Sequence, residues 1–242
     1  MPFDGIVTKA VIEELQTQLI PGRVTKLYQP STTEIVMTVR NNRKTHTLLL
    51  SIHPTYARLH VTEDTYRNPQ GEGGNPPPFC MLLRKHLTGA IIESIEQDGM
   101  ERIVTFKMRT VNEIGDASHK FLILELMGRH SNLMLLNESQ EHIIDSLKHV
   151  SPSQNRHRII LPGYEYVPPP SQHKVNPLEI DGDDFIRKLD FNAGQLDRQI
   201  VNMLDGISPF LAKEITSRAG LGSPNIYKDM FLDVQDDIRN RS

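Results

Sequence analysis

The chain has 242 residues, 38% of them apolar and 24% charged, with a formal net charge of −3 and one cysteine. This suits a soluble globular protein of one large domain, or a medium domain with a small one attached. It excludes an internal disulfide, and no apolar run approaches the roughly 18 residues that a membrane span needs. The pI near 6.4 excludes a non-specific DNA binder, for which a value above about 9 is expected, so a nucleic-acid contact must be a shaped site. The amino terminus lacks a basic start followed by an apolar stretch, and a lone thiol suits a reducing compartment; the cytoplasm is the expected location. After Asn176 the chain carries 12 acidic and 8 basic residues, and before it 18 and 19 together with all ten histidines.

Asp4 is placed to cap a first helix over residues 5–19, with Val7, Val11, Leu15 and Leu19 on one face, and Pro21-Gly22 ends it. Strands are expected at 23–28, 34–39, 47–52 and 58–61, separated by turn signals such as Gln29-Pro30-Ser31 and Asn41-Asn42. His53-Pro54-Thr55-Tyr56 reads as a turn and packing feature, as does Lys148-His149-Val150-Ser151-Pro152. Gly71-Glu72-Gly73-Gly74-Asn75-Pro76-Pro77-Pro78 is an irregular loop leading to a second helix, predicted over 79–97 with Phe79, Leu83, Leu87 and Ile91 on one stripe. Its polar face holds Arg84-Lys85-His86, most simply a solvated basic face. With Arg40, Arg43 and Lys44 it could also form a phosphate-facing patch.

Four more strands follow at 102–109, 121–127, 132–136 and 142–150, with turns at Asn112-Glu113-Ile114-Gly115-Asp116 and Asn137-Glu138-Ser139. Helix, four strands, helix, four strands is an α+β pattern with two similar halves. Within it, Gly128-Arg129-His130-Ser131-Asn132 interrupts what otherwise reads as one buried strand, and the glycine permits a bulge or a close backbone approach. Glu101-Arg102 stands at a strand start after Asp98-Gly99-Met100. Arg102 there can fork onto phosphate or stack on a base, and Glu101 can accept from a base amino group; alone, the pair would be an ordinary solvated strand end.

Pro162-Gly163 and Pro168-Pro169-Pro170 stiffen a connection, giving an α+β domain over 1–170, a linker over 171–178 and a helical domain over 179–242. In the last, Ile200, Leu204, Ile207, Leu211 and Ile215 keep helical spacing around Asp205-Gly206-Ile207-Ser208-Pro209, where Ser208 suits an N-cap and Pro209 a first helical residue. This fits either a helix–hairpin–helix, whose amides could hold a phosphate, or a small bundle with a capped turn. One cysteine and scattered histidines give no metal-ligand spacing, so neither metal nor cofactor is expected. No phosphate loop or nucleophile elbow occurs, and Pro2, a conceivable amine nucleophile, is followed by Phe3 rather than an acid.

Taken together, the 128–132 cluster, Asn112-Glu113-Ile114-Gly115-Asp116, Phe3-Asp4-Gly5, Leu48-Leu49-Leu50-Ser51-Ile52-His53-Pro54 and Met81-Leu82-Leu83-Arg84-Lys85-His86 resemble, in this order, the N-terminal NFACT domain of the RqcH family. That family is also known as the FbpA or PavA fibronectin-binding proteins and has NEMF as its eukaryotic relative. The resemblance covers residues 1 to about 220. It implies a formamidopyrimidine-glycosylase-like, β-rich domain with two helices, followed by a helix–hairpin–helix. It further implies a non-enzymatic role in ribosome quality control: binding the 50S subunit that holds peptidyl-tRNA, and recruiting alanyl-tRNA so that an alanine tail is added to the stalled chain.

The family's tRNA-contacting Asp-Arg pair falls on Glu101-Arg102, and its N-terminal aspartate on Asp4. Glu101 keeps the charge with one methylene more. Arg84, Lys85, Arg129 and His130 are further candidate nucleic-acid contacts. The resemblance also implies an N-terminal fragment of a longer protein, able to fold but poor at binding ribosomes by itself, with an insertion at 71–75. The alternatives are a fibronectin-binding adhesin, which the absence of a secretion signal disfavours, and a glycosylase-like DNA-processing protein.

Overall fold

The computed structural model describes residues 3–68 and 75–220. Most of the expected 71–75 insertion, and residues 221–242 of the expected helical domain, lie outside the described residues. The chain falls into two compact units, Val7–Pro170 and the combination of Met1–Ile6 with Ser171–Ser242. Among the described residues, 3–6 thus group with 171–220. In the larger unit α1 (Gly5–Leu19), which begins in the smaller one, is followed by β1 (Arg23–Ser31), β2 (Glu34–Asn41), β3 (Lys44–Ser51), β4 (Arg58–Thr62) and α2 (Pro78–Leu87). Then come β5 (Ile91–Gln97), β6 (Ile103–Val111), β7 (Ala117–Glu125), β8 (Asn132–Leu136) and β9 (Ile143–Ser146). The smaller unit adds α3 (Gly182–Lys188), α4 (Leu196–Met203) and α5 (Pro209–Arg218). The fold is α+β: one large antiparallel sheet and five helices among the described residues. No helix among them is long and apolar enough to cross a membrane.

The sheet runs in the order β4-β3-β2-β1-β5-β6-β7-β8-β9. The expected halves of four and four strands are therefore four and five strands of one continuous sheet. They join at β1 and β5, which share the single pair Arg23 and Ile91. Backbone bonds complete the joint: Val24 N–H donates to Ala90 at 2.9 Å, Gly89 N–H to Val24 at 2.8 Å and Ile92 N–H to Gly22 at 2.9 Å.

The second helix is shorter than expected. It stops at Leu87 because Thr88 turns extended and Gly89 takes φ +85°, a left-handed conformation that glycine adopts without strain. Residues 91–97 form β5 instead. A register shift between Ile92 and Ser94 leaves Ile92 and Ile95 buried at a spacing that imitates a helical stripe. In α1 the buried face is Thr8, Ile12, Leu15 and Leu19 rather than the valine-led stripe. β7 and β8 are buried on both faces along much of their length, so their apolar residues run without alternation. Ile103, Ile123, Met134, Leu136, Ile143 and Ile160 form one core cluster there.

The exit from α1 is tightly packed. Asn41 Nδ2 donates to the carbonyls of Gln18 at 2.8 Å and Ile20 at 3.3 Å, satisfying acceptors that the helix end leaves open. Gly22 fits there only because it lacks a side chain: a Cβ would lie 2.5 Å from the Leu19 carbonyl oxygen and 2.5 Å from Val39 Cγ1. Gly22→Ala is therefore expected to lower stability by about 1–3 kcal/mol, the usual range for overpacking. Chemical denaturation checks this: the midpoint should fall at an unchanged m-value, and an unchanged midpoint would show that the joint yields freely.

Candidate nucleic-acid interface

The β5–β6 hairpin carries Glu101 and Arg102 at its tip rather than within a strand. Its turn is closed by Glu101 N–H donating to Asp98 at 2.9 Å and Asp98 N–H to Ile103 at 3.2 Å, with Gly99 at φ +54°. Met100 tucks inward, 1% exposed, and anchors the tip. Gln97 Nε2 donates to the Glu101 carbonyl at 2.9 Å. Glu101 is half-buried and Arg102 is exposed. The Arg102 guanidinium enters no salt bridge among the described residues, which leaves its fork of donors for an anion or a base.

Arg102 is bonded to the segment that leads into the polar cluster, since its carbonyl accepts from Leu126 N–H at 2.9 Å. That cluster does not bulge one long strand, as its apolar flanks suggested. Gly128–His130 is a 3-10 turn, and the chain reverses through it so that β7 pairs with β8, Glu125 opposite Asn132. Gly128 takes φ +55°. A Cβ on it would stand 3.5 Å from the Pro54 carbonyl oxygen, so the sheet curls until the β3–β4 loop lies against this turn. Between β3 and β7 the strand order has β2, β1, β5 and β6.

The five cluster residues divide by direction. Ser131 and Asn132 are fully buried. Ser131 Oγ accepts from Met127 N–H at 2.8 Å, while Asn132 Nδ2 donates to Lys148 O at 2.7 Å and its Oδ1 accepts from Lys148 N–H at 3.0 Å. Arg129 and His130 are exposed, with Arg129 Nε donating to His130 Nε2 at 3.1 Å. Lys148 Nζ donates to the Arg129 carbonyl at 2.6 Å, and burial lowers its pKa from the usual lysine value.

Beneath this end of the sheet lies a buried charge that sequence reasoning did not single out. Glu125 is 0% exposed and meets the Arg158 fork, Nη2 to Oε1 at 2.6 Å and Nη1 to Oε2 at 3.1 Å. Tyr166 O–H donates to Oε1 at 2.9 Å, and Arg158 Nε donates to Val167 O at 2.7 Å. A buried carboxylate is tolerable only with such complete partnering. Burial first, then the Glu125 charge and hydrogen bond, push the Tyr166 phenol well above its usual value. The cue in the sequence was Glu125 itself, an acid inside an apolar run.

The other candidate residues are placed differently. Arg84 is half-buried, its Nε donating to Leu27 O at 2.9 Å and its guanidinium 5.8 Å from the Tyr28 ring centroid; Lys85 beside it is exposed. Arg40, Arg43 and Lys44 are exposed at the β2–β3 turn, the opposite end of those strands from the β3–β4 loop. A depression of about 660 Å³ beside β5 and β6 is lined by Glu93, Glu96 and Asp98, with Lys107 as its one cation among the described residues, a poor path for a polyanion.

In the smaller unit Asp4 is 6% exposed, and its Oδ2 accepts from Ser208 N–H at 3.3 Å. Gly5 N–H donates to Gly206 O at 2.9 Å, and Ser208 Oγ caps α5 by accepting from Leu211 N–H at 3.1 Å. The Ser208 amide of the turn considered for a phosphate and the Leu211 amide of the α5 N-terminus are thus already used within the protein. Ile200, Leu204, Ile207 and Ala212 form this unit's core, with Ile6, Leu211 and Ile215 packed against it.

The family model of NFACT N-terminal and middle domains matches residues 4–241. The chain is 45% identical over 240 residues to the Rqc2 homolog RqcH of Bacillus subtilis, covering 98% of this chain and 41% of that protein. It is 31% identical over 133 residues to the human ribosome quality control complex subunit NEMF, covering 55% of this chain and 11% of that protein. The chain therefore spans about two fifths or less of these relatives' length. Among solved structures it is similar to the N-terminal domain of fibronectin-binding protein PavA from Streptococcus pneumoniae, with a TM-score of 0.81 and 36% identity, covering 99% of this chain and 84% of that one. It is also similar to the fibrinogen binding protein from Staphylococcus aureus, with a TM-score of 0.79 and 40% identity, covering 98% of this chain and 82% of that one.

Two outcomes follow from the Glu125 network. Arg158→Ala should cost about 3–5 kcal/mol, the range for removing one partner of a buried pair; a loss under about 1 kcal/mol in denaturant titration would show that water takes over the carboxylate. Tyr166 has a folded-state pKa raised above its unfolded value near 10. Its contribution is complete below that pH and is lost as pH rises further. Tyr166→Phe should accordingly flatten the alkaline fall in stability above about pH 10, measured by thermal melts across that range.

Proposed function

The chain belongs to the family of NFACT N-terminal and middle domains, and from that membership we propose that it is the tRNA-binding module of a ribosome quality-control factor. In this reading the whole protein works in the cytoplasm on a large ribosomal subunit that retains a stalled chain on peptidyl-tRNA. It selects and positions alanyl-tRNA for alanine tailing. Ribosomal RNA performs the peptide transfer, so the chain is not an enzyme. The larger unit is taken as glycosylase-like and α4–turn–α5 as a helix–hairpin–helix. The relatives named RqcH and NEMF support this reading of the family.

The observation that carries the proposal is Arg102: an exposed guanidinium without a salt bridge among the described residues, held at a hairpin tip whose backbone is bonded into the next hairpin. A fixed fork of donors suits a phosphate or a guanine edge better than a flexible ammonium would. Glu101 stands beside it as the acceptor. Arg129 adds positive charge on the following turn with His130 as an exposed polar neighbour, and Lys85 adds charge on α2. Asp4, buried and bonded to the Ser208 amide, is assigned the holding of the α4–α5 turn.

Hydrogen bonds to a charged group contribute roughly 1.5–3 kcal/mol, so Arg102→Ala in the full-length protein should reduce co-purifying tRNA about tenfold or more and suppress alanine tailing. Arg102→Lys should restore only part of it, and Glu101→Asp, the family's usual acid, should behave like wild type. Undiminished alanyl-tRNA recovery and tailing with Arg102→Ala would sink the assignment. A second reading, binding of fibronectin or fibrinogen at the cell surface, is favoured by the names of the solved relatives. Protease added to intact bacteria separates the two: protection of the protein fits the tRNA reading, and cleavage fits the adhesin.

A further inference from the structure

The β3–β4 loop, residues 52–57, does not pack as a buried turn. Tyr56 is 65% exposed, and its ring is held rather than loose. The imidazole of His53 stacks on it with centroids 5.0 Å apart and planes 26° from parallel. His53 Nδ1 accepts from Thr55 N–H at 3.1 Å and Tyr56 N–H at 3.2 Å, and Arg58 Nη1 donates to the Tyr56 carbonyl at 2.9 Å. With Nδ1 used as an acceptor, neutral His53 carries its proton on Nε2. One face of the phenol is covered by His53, and the residue's exposure leaves the other open to solvent.

The loop that carries this ring adjoins the polar turn. The Pro54 carbonyl lies against Gly128, and Arg129 and His130 follow, both exposed. Arg129 uses Nε on His130, and no salt bridge among the described residues engages either side chain. An exposed aromatic on a loop that meets a turn carrying an arginine without a salt bridge is a combination by which proteins hold single-stranded nucleic acid: the ring stacks on a base and the cation meets its phosphate.

We propose that Tyr56, backed by His53, is a stacking platform for an unpaired RNA base, with Arg129 and His130 receiving the flanking phosphate. An unpaired base is required because a helical one is already covered on both faces by its neighbours. The ligand class is therefore a loop or other single-stranded segment of a structured RNA. This inference rests on the tRNA-binding reading above and adds a second contact to Arg102, one that recognises the flat face of a base rather than charge.

The test measures binding of the full-length protein to a labelled RNA stem–loop, and to the same stem–loop with abasic loop sugars, by fluorescence anisotropy. Tyr56→Ala is expected to weaken binding to the intact loop roughly ten- to a hundredfold, the equivalent of losing one stacked base. On the abasic loop it should change little, because the phosphates remain. Tyr56→Phe, which keeps the π face, should bind close to wild type, and since Tyr56 is exposed all variants should melt as wild type does. Equal binding of Tyr56→Ala and wild type to the intact loop would overturn the platform while leaving the tRNA reading standing. Equal loss on both RNAs would overturn it as well, since the ring would then act on something other than a base. If the wild-type protein binds neither RNA, the platform and the tRNA reading fall together.

Discussion

The two hairpins that carry Arg102 and Arg129 rest on one buried carboxylate. Glu125 closes β7, pairs across the ladder with Ile103 on one side and Asn132 on the other, and is neutralised from below by Arg158 and Tyr166. Both hairpins that carry candidate contacts spring from that point, residues 98–102 before Ile103 and 126–131 before Asn132. A charge without water must be partnered on every side, so the network admits few arrangements of these strand ends. Segments far apart in sequence, around residues 125, 158 and 166, are thereby tied to one place.

On that base the polar residues separate into holders and presenters. Ser131 and Asn132 look inward and satisfy backbone groups of the turn and of Lys148. Arg102, Arg129 and Tyr56 look outward from backbones that are themselves bonded or packed: Arg102 through Leu126, Arg129 through Lys148, and Tyr56 through His53 and Arg58. Pre-ordering of this kind removes part of the entropic cost of ordering side chains and loops on binding. Under the proposed function, it would let a chain with a slight net negative charge hold RNA. Arg102 and Arg129 have no acidic partner among the described residues and stand on loops, while the acid-lined depression beside β5 and β6 suits a polyanion poorly.

Much of the fold is legible in the sequence because local signals and tertiary packing agree. The Asp4–Gly22 segment shows a helix start and stop, and the strand runs between Arg23 and Thr62 are read near where they occur, although Gln29-Pro30-Ser31, read as a turn, forms the irregular end of β1 and the chain turns after it. Agreement fails where local periodicity is ambiguous. β5 imitates a helical stripe because its bulge moves Ile95 out of alternation, and the 121–136 region imitates one interrupted strand because β7 and β8 are buried on both faces. For the candidate site, Glu101, Arg102 and the 128–132 cluster stand out by residue type, and family resemblance strengthens the first two. The partnership of Glu125 with Arg158 and the contact of Pro54 with Gly128 leave no trace in spacing, since the first is made by the segment that follows β9 and the second by the curl of the sheet. Tyr56 reads as packing until its exposure is known.

The most direct measurement is photo-crosslinking of tRNA to the full-length protein, with the attached peptides identified by mass spectrometry. The account predicts crosslinks within residues 52–57, 98–102 and 127–131. Crosslinks that avoid all three loops and gather at Arg40, Arg43 and Lys44, on the opposite end of β2 and β3, would contradict it.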